Sequence, residues 1–378
     1  GKYTTAIGAK ATAATTSSET DFGATALGYS ANASGVNSTA IGRQASATGD
    51  RAIAVGESAT ADGIGSIASG SGAAAIKGSL AVGYLSSGSG IKSAAIGFDS
   101  KAEGDHSTAL GAYSSASSTN STAAGILSKA DGEHSTAVGT NASALDTASS
   151  AFGRDSHADG ENSTAIGAEA RAIGSKSISI GYQAGGSTGL VAGVPVGDRS
   201  GDSSVAVGAF AYSKGANATA IGRGANAAKN YTTALGFESQ ATENNSTALG
   251  VRAQARGNYS TALGSEANAS GSISAALGYK ANSGGDSSTA IGAEAFASGT
   301  SAIAIGKSSY VNSSNALALG VSAKAKADGA IAIGTSSVAN KENAIALGHS
   351  AKATGLKSIA IGANADANGQ GIAIGVEA

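Results

Sequence analysis

A three-residue phrase, Ala-[Ile/Leu/Val]-Gly, recurs along the whole 378-residue chain, and its spacing limits what the chain can fold into. The glycine of this phrase falls at 26 places between Gly8 and Gly375, and 21 of the 25 intervals are 14 residues. The other four are 20, 13, 27 and 13 residues. A flexible Gly/Ser linker has no reason to hold such a register. Low complexity here therefore signals a stacked repeat rather than disorder.

With each such glycine as position 0, the residue at −1 is Ile, Leu or Val in 23 of 26 repeats, with Ser69, Ala124 and Phe152 as exceptions. Position −2 is Ala in 25 of 26, and only Ser179 departs. Position −3 is mostly Thr or Ile and −4 is often Ser. Positions −3 and −1 share one face of a strand, and −4, −2 and 0 share the other. A second alternating run has Ala or Ser at +3 and Ala at +5, with variable polar residues at +2 and +4. Position +7 is often Gly, read as a turn that needs positive φ. Each unit thus reads strand–turn–strand–turn, with no sustained 3.6-residue period.

Two short strands per 14 residues in parallel register predict an all-β fold: a parallel β-roll, or β-solenoid, of about 26 rungs spanning residues 1–378 as a single domain. Two segments break the lattice, 9–23 and 183–204. The second contains Val194-Pro195-Val196-Gly197, which reads as a degraded rung. For the interior, we expect the −1/−3 face to pack against +3/+5, large against small. The Ala-rich −2 face would then lie against a partner chain. The reverse, with Ile and Thr at the seam between chains and Ala inside, is the alternative that periodicity leaves open. On either reading one rung buries little apolar area, so association along the roll is expected, most simply as a symmetric homo-oligomer.

Composition excludes several function classes. Without Cys there is no disulfide framework or thiol chemistry. Charged residues are 13% and the net charge is −2, so no basic footprint for nucleic acid exists. No apolar run is long enough for a membrane helix, and the absence of Met marks a mature or excised portion of a protein. His106 and His134 share position −5 two rungs apart, which is too far for one metal ion. No Ser/His/Asp group repeats, so neither catalysis nor a cofactor is expected.

Units such as Asn162–Gly167 followed by 168–174, and Asn37–Gly42 followed by 43–49, resemble the head repeat of YadA-like trimeric autotransporter adhesins. So does Lys357–Gly362 followed by 363–369. The resemblance covers nearly the whole chain. It implies a left-handed parallel β-roll assembled as a parallel homotrimer on a Gram-negative outer membrane. It also implies binding of extracellular-matrix proteins, host cells or other surfaces. The family's neck, coiled-coil stalk and C-terminal barrel are not recognisable here, so membrane anchoring would rest on a C-terminal region outside this sequence.

The family's repeat residues are structural, so no binding residue carries over. The outward position +4 supplies candidates instead. Lys101, Lys129 and Arg171 form a mildly basic stripe, and Phe296 and Tyr310 are expected as neighbours on successive rungs. Phe210 and Tyr212, at +2 and +4, add a second outward aromatic pair. The alternatives to an adhesin head are an ice-binding solenoid and a passive fibre spacer. Ice binding is disfavoured on the expectation that the Thr ladder at −3 is buried with Ile.

Overall fold

A computed structural model describes residues 3–15, 23–185 and 201–378. The chain divides into two units, Gly1–Gln183 and Ala184–Ala378, each an all-β parallel solenoid with a turn of about 14 residues. In the first unit, three-residue strands from Thr5–Ile7 to Ile178–Ile180 alternate with two-residue strands from Thr12–Ala13 to Arg171–Ala172. In the second they run from Val205–Val207 to Ile372–Ile374 and from Tyr212–Ser213 to Asp366–Ala367. Together they close about 24 full turns among the described residues. Long strands occupy positions −3 to −1, and short strands occupy +4 and +5.

Within each unit the described rungs pair in parallel, each in register with the next. Thr39, Ala40 and Ile41 lie beside Ile53, Ala54 and Val55, and Ser46 and Ala47 lie beside Thr60 and Ala61. Each corner is a four-residue turn. Ala45 donates to the carbonyl of Gly42 at 3.3 Å, and Ser38 donates to that of Gly35 at 3.2 Å. The third residue of nearly every turn is left-handed, as at Gln44 (φ 60°) and Asn37 (φ 57°). Positive φ therefore falls mainly at +2, at −5 and at the position-0 glycine, and at the expected +7 only in the two 13-residue intervals, at Lys77 (φ 54°) and Gly369 (φ 60°). Glycine at +7 answers a different demand. A Cβ on Gly90 would come within 1.9 Å of the Gly104 carbonyl oxygen on the next rung. The position-0 glycine meets both demands: Gly42 has φ +132°, and a Cβ there would sit 2.4 Å from the Gly56 oxygen.

The interior reverses the face we expected. Ala40 and Ala54 at −2 are fully buried within a single chain, as are Ala45, Ala47, Ala59 and Ala61 at +3 and +5. Ile41 and Ile53 at −1 and −3 project outward and are exposed. The +3/+5 half of the expectation holds, while the long-strand half is inverted. The cause is thickness. Corners of four residues bring the two sheets so close that the space between them is filled almost wholly by Ala, Ser and Gly. Val311 and Thr232 are the largest fully buried side chains, and serines follow.

Many buried serine hydroxyls find partners in the corners, whereas others, Ser38, Ser107 and Ser163 among them, are buried without one. Ser121 Oγ donates to the Ser118 carbonyl at 2.6 Å, and Ser114 Oγ donates to the Gly111 carbonyl at 2.8 Å. Ser179, the one departure from Ala at −2, donates across the interior to the Arg171 carbonyl at 2.7 Å. Described parts of the two segments 9–23 and 183–204 are regular. Thr12–Ala13 pairs with Asn32–Ala33 as an ordinary rung, and Ser204 donates to the Gly201 carbonyl as an ordinary corner. The reading of 194–197 as a degraded rung lies outside the described residues.

Candidate binding surfaces

Each rung offers three outward surfaces: the long-strand face, the short-strand face and the corners between them. The long-strand face presents position −3, Thr or Ile, and position −1, Ile, Leu or Val, on successive rungs. Leu110, Phe152, Ile166 and Leu263 are exposed there. Phe152 is tolerated at −1 because it never enters the thin interior. Within each unit, exposed apolar side chains therefore recur on this face from rung to rung.

The short-strand face carries the +4 candidates. Phe296 and Tyr310 are register partners, and their rings stack with centroids 5.1 Å apart and planes 9° apart. Phe210 lies on the turn itself, left-handed at φ 59° and exposed, while Tyr212 opens the half-buried short strand Tyr212–Ser213. These two residues therefore lie on different surfaces of one rung.

The basic stripe is largely balanced by carboxylates. Lys129 Nζ is 2.8 Å from Asp131, and Lys101 Nζ is 3.9 Å from Asp99. Arg171 is half-buried beside its register partner His157, whose Nδ1 is 4.0 Å from Asp159. Burial holds the Asp159 carboxyl above the ordinary carboxylate range, and His157, Arg171 and Lys129 pull it the other way. These side chains form a mixed-charge strip rather than a cationic one. Among the described residues no three His, Cys, Asp or Glu side chains converge as metal ligands.

The corner at +1 and +2 carries the richest side-chain ladder, and the sequence reading missed it. Tyr84 and Phe98 stack at 5.2 Å, and Phe98 meets Tyr113 edge-on at 5.2 Å. Phe237 lies between Arg223 at 5.6 Å and Arg252 at 5.8 Å. Arg252 also reaches Glu238 at 3.1 Å, and Lys280 sits 5.1 Å from the Tyr279 ring. Arg154 bonds Asp155 and, at 3.0 Å, Glu169 on the next rung. The Glu169 carboxyl is held below its ordinary range by hydrogen bonds from Gln183 and Arg154. The missed signal was available: Tyr29, Tyr84, Phe98, Tyr182, Phe237 and Tyr279 all occupy +1.

A stacked 14-residue solenoid with a two-sheet Ala/Ser core and decorated outer faces defines a class of repeat protein built to present surface. The sequence profile of the YadA head domain repeat, in two copies, matches residues 22–45, 47–73, 89–114, 116–142 and 147–170. It matches again in overlapping registers from 200–225 to 312–337, and over 339–365. The matches span well over half of the chain, which belongs to the YadA head-repeat family of non-catalytic adhesin heads. Among solved structures, the chain is similar to the crystal structure of the collagen-binding domain of the Yersinia adhesin YadA. The two are 26% identical over 48% of this chain and 73% of that one. The TM-score is 0.19, so the superposition adds nothing to the family assignment. No curated protein matches the chain.

Proposed function

We propose that this chain is the head of a left-handed, parallel homotrimeric adhesin, displayed on a bacterial outer membrane, that binds matrix proteins, host cells or other surfaces. The observation that carries the reading is the outward Thr/Ile/Leu face of the long strands. Covering it contributes about 1–2 kcal/mol per rung before the cost of association, and that gain recurs on every rung. Three copies packed on this face would leave the short strands and their corners outward for contact. Many weak contacts along one fibre would then act by avidity.

On this reading Phe296, Tyr310, Phe210 and Tyr212 supply aromatic contacts, and Lys101, Lys129 and Arg171 supply a polar rim. Purified chain is tested on a panel of collagen, other matrix proteins, cells and abiotic surfaces. Binding that falls when Phe296 and Tyr310 are both changed to Ala supports the contact assignment. No binding across the panel favours the passive spacer.

One observation favours a second reading, an ice-binding solenoid. The Thr ladder at −3 points outward, so the ground on which ice binding was disfavoured is gone. Ice binding requires that this face stay open. Thermal hysteresis in a monomeric sample would select that reading, and its absence in a trimeric sample would remove it.

A further inference from the structure

The outward long-strand face changes character within the second unit. At position −3 the first rung carries Val205, and the next six carry Thr219, Thr233, Thr247, Thr261, Ala275 and Thr289. The six later rungs carry Ile303, Leu317, Ile331, Ile345, Ile359 and Ile372. Position −1 remains aliphatic throughout, from Val207 to Ile374. The strands pair in register, with Leu317 beside Ile331 and Ile345 beside Ile359. The later rungs therefore form an unbroken sheet two aliphatic side chains wide, without a polar atom on its outward face. On most of the early rungs an aliphatic side chain has a hydroxyl beside it.

We propose that contact between copies along this face is graded. The six rungs from 303 to 374 form a dry clasp that carries most of the affinity, and the threonine rungs from 219 to 291 form a hydrated seam that opens first. This rests on the trimeric reading above. Removing aliphatic surface from water is favourable in proportion to its area, whereas burying a hydroxyl without a partner is unfavourable. Water retained at the threonines meets their hydrogen-bonding needs at little entropic cost. Each rung of a solenoid touches only its neighbours, so one block can part while the other stays closed.

The boundary also fixes register. Threonine rungs are nearly identical, and a slip of one rung among them changes little. Across the Thr289/Ile303 step the same slip sets aliphatic side chains against hydroxyls, which disfavours it.

The test uses the full chain and two double variants, Ile331→Thr with Ile345→Thr, and Thr247→Ile with Thr261→Ile. All four side chains lie outside the thin interior, and circular dichroism verifies that the roll is intact. Dissociation on dilution is followed by sedimentation, and backbone hydrogen exchange is measured on the wild type. The first variant is expected to weaken assembly at least ~100-fold, because three copies each lose two aliphatic contacts. The second is expected to strengthen it. Exchange should be slower at Ile331–Ile333 and Ile345–Leu347 than at Thr247–Leu249 and Thr261–Leu263. The short strands Gln254–Ala255 and Val338–Ala339 should exchange alike. A trimer with uniform exchange, or one weakened equally by both variants, overturns the graded seam and leaves the trimer standing. A wild type that sediments as a monomer overturns both.

Discussion

The two faces of the long strand differ by one residue in sequence and obey opposite rules. The inner face, positions −4 and −2, is almost all Ser and Ala and is buried within one chain on all but the terminal rungs. The outer face, positions −3 and −1, accepts Thr, Ser, Ile, Leu, Val, Ala and, at 152, Phe. The constancy of alanine therefore reflects the thinness of the roll and not contact with a neighbouring chain. The outer face tolerates changes of size because nothing in its own chain confines it. Residues that fill the roll thus alternate with residues that leave it.

The sharpest way to break this comparison is to enlarge one residue on each side. Ala248→Leu forces a branched side chain between two sheets spaced for alanine and should destabilise the second unit by about 3 kcal/mol or more. Leu249→Ala, one residue away, should leave the melting of the roll nearly unchanged and weaken only association. Thermal melts of both variants, paired with their masses in solution, check the pair.

Backbone changes should follow in size. Gly250→Ala combines φ +135° with a Cβ only 2.5 Å from the Gly264 oxygen, and should cost about 2–3 kcal/mol in denaturant unfolding. Ala148→Gly runs the other way. Ala148 is held left-handed at φ 54°, so glycine there should stabilise the first unit by up to about 1 kcal/mol.

Changes to the outer decoration should be smaller. Phe98→Ala removes ring contacts to both Tyr84 and Tyr113 and should cost about 1 kcal/mol. The smallest effect is electrostatic. A carboxyl whose folded pKa is raised stabilises the fold at low pH and loses that contribution as pH rises through its folded value. Asp159→Asn should therefore be at least as stable as the wild type at neutral pH, with the advantage vanishing in acid. Melts at the two pH values measure it.

The period, the strand limits and the parallel stacking were legible because the glycine register fixes them directly. Which face turns inward was not. Period-two alternation names two faces without ranking them, and the pairing of large with small residues assumed a thicker roll than four-residue corners allow. The constancy of Ala at −2 against the variety at −1, including Phe152, was the better guide. The left-handed corners were hidden because Lys, Glu and Tyr at +2 are not turn formers by composition. Phe296 beside Tyr310 was readable from the repeat alone, whereas the Tyr84–Phe98–Tyr113 ladder needed the +1 and +2 positions to be tabulated together.

The central claim, that other copies of the chain cover the outward long-strand face, can be tested on one rung. The chain has no cysteine, so a single introduced thiol is a clean probe. Thr261→Cys places it on the long-strand face and Asn268→Cys on the short-strand face of the same rung. Thiol labelling is measured at a concentration where sedimentation gives the assembled mass. The account predicts that the thiol at 261 reacts at least about tenfold more slowly than the thiol at 268, and that dilution to monomer removes the difference. Equal labelling of the two positions in the assembled protein would contradict it.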